Sequence, residues 1–192
     1  MSEDKFKNKY RIPSARAGWH DYNGGIYFIT ICTKNREHYF GKIIAEQQIQ
    51  LSKIGQYTDE QIRNVQMHYP YAEIPLWVVM PNHLHLITVI DWEKMPYERR
   101  NTTEWIASVE TRRATSLRYA CETANMQGWL SVVIGGIKSS VTKFANAQNI
   151  PFAWQPRFND RIVRDTDELN RIAEYIKTNP AHWAADEFYT AE

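Results

Sequence analysis

The sequence predicts an α+β fold built on an antiparallel sheet. Strand-like and helix-like segments follow one another in the order β, α, β, β, α, β, α. The two strongest strand-like segments are separated by Pro81 and Asn82 alone, which is the turn chemistry of a hairpin. This order is the ferredoxin-like, or split βαβ, arrangement, with helices on one face of the sheet plus a C-terminal helix. We expect residues 1–192 to form a single domain, since 43% of them are hydrophobic and can build one core.

The first part of the chain predicts a tail, a strand and a helix. Residues 1–25 are polar, carry closely spaced Lys and Arg, and end in the turn signal YNGG, so we expect a basic N-terminal tail. Residues 26–34, IYFITICTK, are rich in β-branched and aromatic side chains and predict a central strand. Residues 51–70 repeat apolar side chains at helical intervals until Pro70, which predicts a helix.

The middle of the chain predicts a hairpin and an insertion. Residues 72–80 and 83–90 are the two strand-like runs on either side of the Pro-Asn turn. Residues 91–128 are charged and have no clear start or stop signal for a helix, so we interpret them as an insertion.

The last part of the chain predicts a helix, a strand and a final helix. Residues 129–149 place apolar side chains at positions i, i+3, i+4 and i+7. Residues 152–164 alternate well enough for a strand, in which Pro156 suggests an edge or a bulge. Asp165 and Glu168 resemble a capping box that opens the last helix, which Pro180 ends.

Composition and charge restrict the classes of protein to which this chain can belong. The net charge of +1 means that a nucleic acid would have to be held by a local basic patch. Cys32 and Cys121 lack the spacing of a metal site, and no stretch resembles a signal peptide or is long enough to cross a bilayer. We therefore expect a cytoplasmic, reduced protein without disulfides or membrane insertion.

The two histidines of the second hairpin strand are the first candidate site. His83 and His85 are two residues apart, so on a strand they point to the same face while Leu84 points to the other. Two imidazoles can converge on one metal ion, which needs at least one more ligand and open positions for chemistry. An isolated pair of this kind leaves a second reading open, in which both are ordinary polar residues on a solvated sheet face.

The residues around the histidines resemble a known family. Residues 78–87, VVMPNHLHLI, resemble the metal-binding strand of the HUH single-tyrosine transposases, in particular the REP-associated tyrosine transposases and relatives of the insertion-sequence 200/605 type. Residues 154–180, WQPRFNDRIVRDTDELNRIAEYIKTNP, resemble the strand and catalytic helix of that family, and residues 27–35, YFITICTKN, its first strand. The resemblance implies a ferredoxin-like sheet, in agreement with the order of elements.

The resemblance also implies a catalytic set. It makes Tyr175 the nucleophile and Asn179 the third metal ligand beside His83 and His85, and residues four apart do share one helix face. Without the histidines, Tyr175 would read as a packing residue and Asn179 as a residue at a helix end. Asn159 stands where the family often has His or Tyr, which leaves an auxiliary base at that position in doubt.

The implied activity is that of a metal-dependent tyrosine transposase. Such an enzyme cleaves and rejoins single-stranded DNA through a 5′-phosphotyrosine intermediate, and for this chain we expect the targets to be hairpin-flanked, REP-like sequences. We expect Mg²⁺ or Mn²⁺ as the cofactor, while two imidazoles would also suit Zn²⁺. Relatives act as dimers or as monomers, so a homodimer is possible and a monomer is equally open.

A basic patch is expected to hold the DNA. The candidate DNA-binding residues are Lys138, Lys143, Arg157, Arg161, Arg164 and, in the tail, Lys9 and Arg11. Neighbouring aspartates offset part of this charge, so a solvated surface is an equal alternative. Trp154, Phe158 and Trp183 could stack on unpaired bases, although core packing is the more common role for the first two.

Three functions remain open at the level of the sequence. The first is a transposase, active or domesticated, that cuts and joins single-stranded DNA. The second is a non-catalytic single-stranded nucleic-acid-binding protein, because ferredoxin-like sheets also bind RNA. The third is a metal-dependent hydrolase in which water replaces Tyr175 as the nucleophile.

Overall fold

The strands of this computed structural model, which describes residues 24–44, 48–94 and 128–189, pair in antiparallel fashion. They are β1 Gly25–Cys32, β2 Gly41–Ile43, β3 Ile49–Leu51, β4 Ala72–Val79, β5 His83–Ile90 and β6 Asn159–Ile162. The larger sheet has the order β4-β5-β1-β6, and β2 pairs with β3 separately.

The helices connect the strands in the split βαβ order. They are α1 Lys53–Arg63, α2 Val65–His68, α3 Trp129–Ala147 and α4 Thr166–Thr178, with short 3₁₀ turns at Lys34–Arg36, Trp92–Lys94 and Asn179–Ala185. With β1 and β5 in the centre and β4 and β6 outside, this is the predicted ferredoxin-like α+β fold. No helix in the described ranges is long and apolar enough to cross a membrane.

Both faces of the larger sheet are covered, because α4 lies on the face opposite α1 and α3. On one face Leu84 and Leu86 of β5 join the main core with side chains of α1 and α3. On the other face Ile87 packs against Ile172 and Ile176 of α4. The sequence of a strand that is buried on both faces is a nearly continuous run of apolar residues. This explains why the sequence of β5 predicted a strand so clearly.

The start of α4 is fixed by side chains, as the sequence predicted. The Asp165 carboxylate accepts a hydrogen bond from the backbone N–H of Glu168 at 2.7 Å. The Glu168 carboxylate accepts one from the N–H of Arg164 at 2.9 Å and forms an ion pair with Arg161 at 2.6 Å. The bond from the Glu168 N–H satisfies one of the groups that the first turn of a helix leaves free, and the contacts of the Glu168 side chain tie this turn to the residues before it.

Three elements differ from the sequence prediction. The strand expected over residues 152–164 is restricted to Asn159–Ile162, with one isolated bridge between Trp154 and Thr33. Pro156 has no N–H for a ladder, and Arg157 has a φ of 68°, which is not extended backbone. The helix expected over residues 51–70 is divided at Asn64 into α1 and α2, and the β2–β3 pair was not predicted.

The expected insertion and tail lie mostly outside the described residues. Of residues 91–128, the structure describes residues 91–94 and 128, and it describes the tail from Gly24 onward.

β4 contains one irregularity, a shift in its pairing with β5 between Glu73 and Leu76, next to Pro75.

Candidate metal and tyrosine site

The two histidines lie on the face of β5 that α4 covers. Both side chains are buried, and their ring centroids are 4.5 Å apart. The prediction that they share one face is therefore confirmed, while the alternative of a solvated face is wrong.

Asn82 determines which nitrogen of His83 carries the proton. Its amide nitrogen donates to two carbonyl oxygens, those of Arg36 at 3.2 Å and Phe188 at 2.8 Å, so its amide oxygen is the atom 2.9 Å from His83 Nδ1. That oxygen can only accept, and Nδ1 must be the protonated nitrogen. His83 Nε2 is left with a lone pair, and it is buried without a hydrogen-bond partner among the described residues.

His85 is oriented in a similar way by Thr30, which lies opposite it on β1. His85 Nδ1 is 2.9 Å from the Thr30 hydroxyl, and His85 Nε2 is 3.2 Å from the Tyr175 hydroxyl. Burial lowers the pKa of His85 to about 4, and it also holds the pKa of His83 well below its usual value. Both imidazoles are therefore neutral at physiological pH, which is the form that binds metal ions.

Tyr175 reaches this site from the last turn of α4, and Asn179 reaches it from the residue that follows α4. The Tyr175 side chain is 40% exposed, and its ring packs edge-on against Phe28 of β1. Partial burial and the nearby charges of Asp186 and Glu187 raise the pKa of Tyr175 to about 12. Its hydroxyl is therefore protonated at neutral pH in this state.

Asn179 is buried, and its two amide atoms differ in environment. Its nitrogen donates to Asp186 Oδ2 at 2.7 Å, while its oxygen is buried and has no hydrogen-bond partner within the described part of the chain. A buried acceptor without a partner is rare, and it indicates a position where a donor or a cation can bind. The amide oxygen of Asn179 and the ring nitrogen of His83 are two such atoms in one site.

Asp186 is a site residue that the sequence did not reveal. One of its carboxylate oxygens and one ring nitrogen from each of His83 and His85 all lie within 4.8 Å of one another. Asp186 follows the 3₁₀ turn Asn179–Ala185, where neither a helical nor a strand period relates it to the histidines. The only indication of this role in the sequence was that Asp186, which carries a carboxylate, follows the expected ligand Asn179 after a short interval.

The chain after the 3₁₀ turn lies over the histidines. The Phe188 ring centroid is 4.7 Å from that of His83, and Trp183 is buried with its centroid at 6.0 Å. Arg36 donates from Nη1 to the carbonyl of Glu187 at 2.6 Å, and its guanidinium lies 5.1 Å above the Phe188 ring. We call residues 186–188 the covering segment.

The candidate DNA-binding residues occupy different environments. Lys138 Nζ donates to the carbonyls of Gln155 at 3.0 Å and Arg157 at 2.8 Å, so it holds the loop before β6 in place. Arg161 forms the ion pair with Glu168 described above. Lys143, Arg157 and Arg164 are exposed, and Lys9 and Arg11 lie outside the described residues. A DNA contact by any of these residues stays a prediction.

The three aromatic residues considered for base stacking are largely used in packing. Trp154 and Phe158 pack against the main core, and the Trp154 indole N–H donates to the carbonyl of Lys138 at 3.0 Å. Trp183 is buried beside His83. Core packing, the more common role, therefore applies to Trp154 and Phe158.

The donor atoms fit a divalent metal ion. Two neutral imidazoles, an amide oxygen without a partner and a carboxylate oxygen are borderline and hard donors, which suit Mn²⁺ and Zn²⁺ and, through the oxygens, Mg²⁺. The second ring nitrogen of each histidine is held by Asn82 or Thr30, as is usual for metal-binding histidines.

Fold and site together define the class of this protein: a ferredoxin-like protein with two histidines and a tyrosine between its sheet and its last helix. A Haemophilus influenzae protein named "Uncharacterized protein" is 34% identical over 171 residues, which cover 86% of this chain and 85% of that protein. The chain belongs to the same family as this Haemophilus protein. No family model matches the chain.

Two solved structures are similar to this chain. One is a REP-associated tyrosine transposase bound to a REP hairpin, with a TM-score of 0.47 and 21% identity over 87% of this chain and 73% of that one. The other is a candidate transposase from Deinococcus radiodurans, with a TM-score of 0.38 and 12% identity over 85% of this chain and 95% of that one. Both TM-scores are low, so the function has to be inferred from the residues of the site.

Proposed function

We propose that this protein is a metal-dependent transposase that cleaves and rejoins single-stranded DNA with Tyr175 as the nucleophile. The observation that carries the proposal is the position of the Tyr175 hydroxyl, 3.2 Å from Nε2 of a buried, neutral histidine in a site with two buried acceptors that lack partners. A nucleophile beside a ready set of ligands supports transesterification better than binding alone.

In the proposed reaction, the Tyr175 oxygen attacks the scissile phosphorus. A Tyr–O–P bond forms, the bond between phosphorus and the 3′-oxygen breaks, and the 3′-oxygen takes a proton from water. The 5′ end of the DNA stays attached to Tyr175, and attack by another 3′-hydroxyl reverses the step and joins strands. The energy of the phosphodiester is kept in the covalent link, so joining needs no nucleotide triphosphate.

The site has to lower the barrier to deprotonation of Tyr175. With a pKa of about 12, only a very small fraction of this side chain is phenolate at neutral pH. Its partly exposed side chain allows the proton to leave to solvent, and its hydroxyl lies 3.2 Å from His85 Nε2 in this state. His83, His85 and Asn179 would hold Mg²⁺ or Mn²⁺, which supplies charge neutralisation at a non-bridging oxygen of the scissile phosphate when bound.

The test is to trap the covalent link. Purified protein would be incubated with Mn²⁺ and labelled single-stranded DNA containing a hairpin from the flanks of its own gene, and separated on a denaturing gel. We expect a shifted covalent band for the wild type and none for Tyr175→Phe. Tyr189→Phe is the matched control, because Tyr189 is also a C-terminal tyrosine of similar exposure, 44%.

The other outcomes separate the remaining functions. Metal-dependent cutting that persists in Tyr175→Phe without a covalent band would contradict the proposal and identify a hydrolase that uses water. Binding of the strand by both proteins, with no cutting on several flanking sequences, would identify a non-catalytic or domesticated binding protein.

A further inference from the structure

We propose that Asp186 is an additional, anionic metal ligand, so that the covering segment forms part of the metal centre. This inference rests on the proposed function, because it assumes the metal site of His83, His85 and Asn179. It adds a ligand from a part of the chain that follows the catalytic helix, and it links metal binding to the position of residues 186–188.

The geometry brings the carboxylate to the site. A ring nitrogen of His83, one of His85 and an oxygen of Asp186 lie within 4.8 Å of one another, a spacing that three ligands of one ion can adopt with small movements. His83 Nε2 is fully buried and has no hydrogen-bond partner in residues 24–44, 48–94 and 128–189. This atom is the independent sign that the site takes a cation.

The carboxylate is oriented and still has capacity to bind. Asp186 Oδ1 accepts from the backbone N–H of Phe188 at 2.7 Å, and Oδ2 accepts from Asn179 at 2.7 Å. Each carboxylate oxygen has two lone pairs, so one on each oxygen remains after these bonds. The bond from Asn179 also ties Asp186 to the residue whose own amide oxygen lacks a partner.

Charge balance favours a carboxylate at this position. The imidazoles of His83 and His85 and the amide of Asn179 are all neutral donors. A divalent ion held by neutral donors in a buried site would keep an uncompensated charge, which is unfavourable away from water. Asp186 supplies a negative charge within reach of the ion, so its removal should weaken binding more than the loss of one hydrogen bond would.

The covering segment is held by other contacts as well. Arg36 bonds to the carbonyl of Glu187, and Asn82 bonds to the carbonyl of Phe188. These bonds use backbone carbonyls, so substitutions of the Asp186 and Glu187 side chains leave them in place. The effect of either side chain on metal binding can therefore be measured on a segment that keeps these two backbone bonds, while Asp186→Asn also changes the bonds that Asp186 accepts from Asn179 and from the Phe188 N–H.

The test measures Mn²⁺ binding directly, without DNA. The signal of free Mn²⁺ in electron paramagnetic resonance would be followed during titration of the wild type, Asp186→Asn and Glu187→Gln. We expect Asp186→Asn to raise the Kd about tenfold or more and Glu187→Gln to change it by less than about twofold. Glu187→Gln removes the same charge from the neighbouring residue, so it is the matched control, and thermal unfolding in EDTA would verify that the variants are folded.

Each other result has a definite meaning. An unchanged Kd in Asp186→Asn, or an equal loss in Glu187→Gln, would overturn the assignment of Asp186 as a ligand and leave the proposed function intact. Binding in His83→Ala that equals the wild type, or no binding by the wild type, would instead overturn the metal site on which the proposed function rests.

Discussion

At the scale of single residues, Asn82 illustrates how one amide prepares a ligand. Its oxygen fixes the tautomer of His83, and its nitrogen connects the turn after β1 with the covering segment. An aspartate at this position would keep the acceptor for His83 but lose both donors. The orientation of the ligand and the position of the covering segment thus depend on different atoms of one side chain.

The buried histidines predict a fall in stability at acidic pH. The pKa of His85 is about 4 in the folded protein, against 6.5 as the usual value. The unfolded chain therefore takes up a proton at a higher pH than the native protein does. The contribution of His85 to the free energy of unfolding is fully present above pH 6.5 and decreases as the pH falls toward 4. Between about pH 7 and about pH 5 we expect His85 to account for a loss of about 2 kcal/mol.

Urea unfolding of the metal-free protein in EDTA would measure this loss. The control is His85→Gln, a polar side chain that does not titrate, and its stability should fall less over the same range than that of the wild type. A fall of the same size in both proteins would show that His85 is not the group responsible.

The candidate site residues that could be predicted from the sequence lie within motifs that resemble a known family. His83 and His85 are two apart on a strand and Tyr175 and Asn179 are four apart on a helix, so the regular periods place each pair on one face. Arg36 and Asp186 lie in turns, where no period relates them to the site. Their positions depend on tertiary contacts that a linear pattern does not contain.

At the scale of elements, the two adjacent glycines of α3 have different environments. A Cβ added at Gly136 would lie 2.8 Å from Tyr69 Cζ and closer still to its oxygen, whereas a Cβ at Gly135 would meet nothing within 4 Å. Glycine weakens a helix by about 1 kcal/mol relative to alanine. Only Gly136 therefore has a packing reason for its presence.

This difference predicts opposite effects of the same substitution. Gly135→Ala should raise the free energy of unfolding by up to about 1 kcal/mol. Gly136→Ala should lower it by about 1–3 kcal/mol, because the Tyr69 ring has to move. Chemical denaturation of both variants would measure the change, and equal gains in stability would contradict the close approach of Tyr69.

The sequence predicted best those elements that combine a regular spacing of apolar residues with residues that begin or end a helix. α4 has an apolar stripe, a capping aspartate and a following proline, and its observed limits agree with all three. The stretch before β6 alternates apolar and polar residues but contains Pro156 and a residue of positive φ, so the alternation overestimated the strand. Because Arg157 is not a glycine, its identity does not indicate a positive φ, and the sequence could not predict this backbone conformation.

At the scale of the whole molecule, metal binding should stabilise the fold. The proposed ligands come from β5, from the end of α4 and from the covering segment, so an ion that binds only the native arrangement would hold three parts of the chain together. At a concentration of about 100 times the Kd, such an ion adds about 2.7 kcal/mol to the free energy of unfolding.

Thermal unfolding with and without Mn²⁺ would measure this effect. We expect a rise in Tm of several degrees for the wild type and none for His83→Ala, which lacks a ligand but keeps the rest of the core. A similar rise in both proteins would mean that the ion binds elsewhere.

The irregular stretch of β4 bears on how copies of this protein can meet. Among the strands that the structure describes, β4 and β6 form the borders of the larger sheet, and backbone groups at the border of a sheet can pair with another chain. The border at β4 is interrupted by the shift in pairing and by Pro75, which has no N–H to donate, and β6 has only four residues. Within the described strands, extension of the sheet from one molecule into the next is therefore disfavoured at both borders.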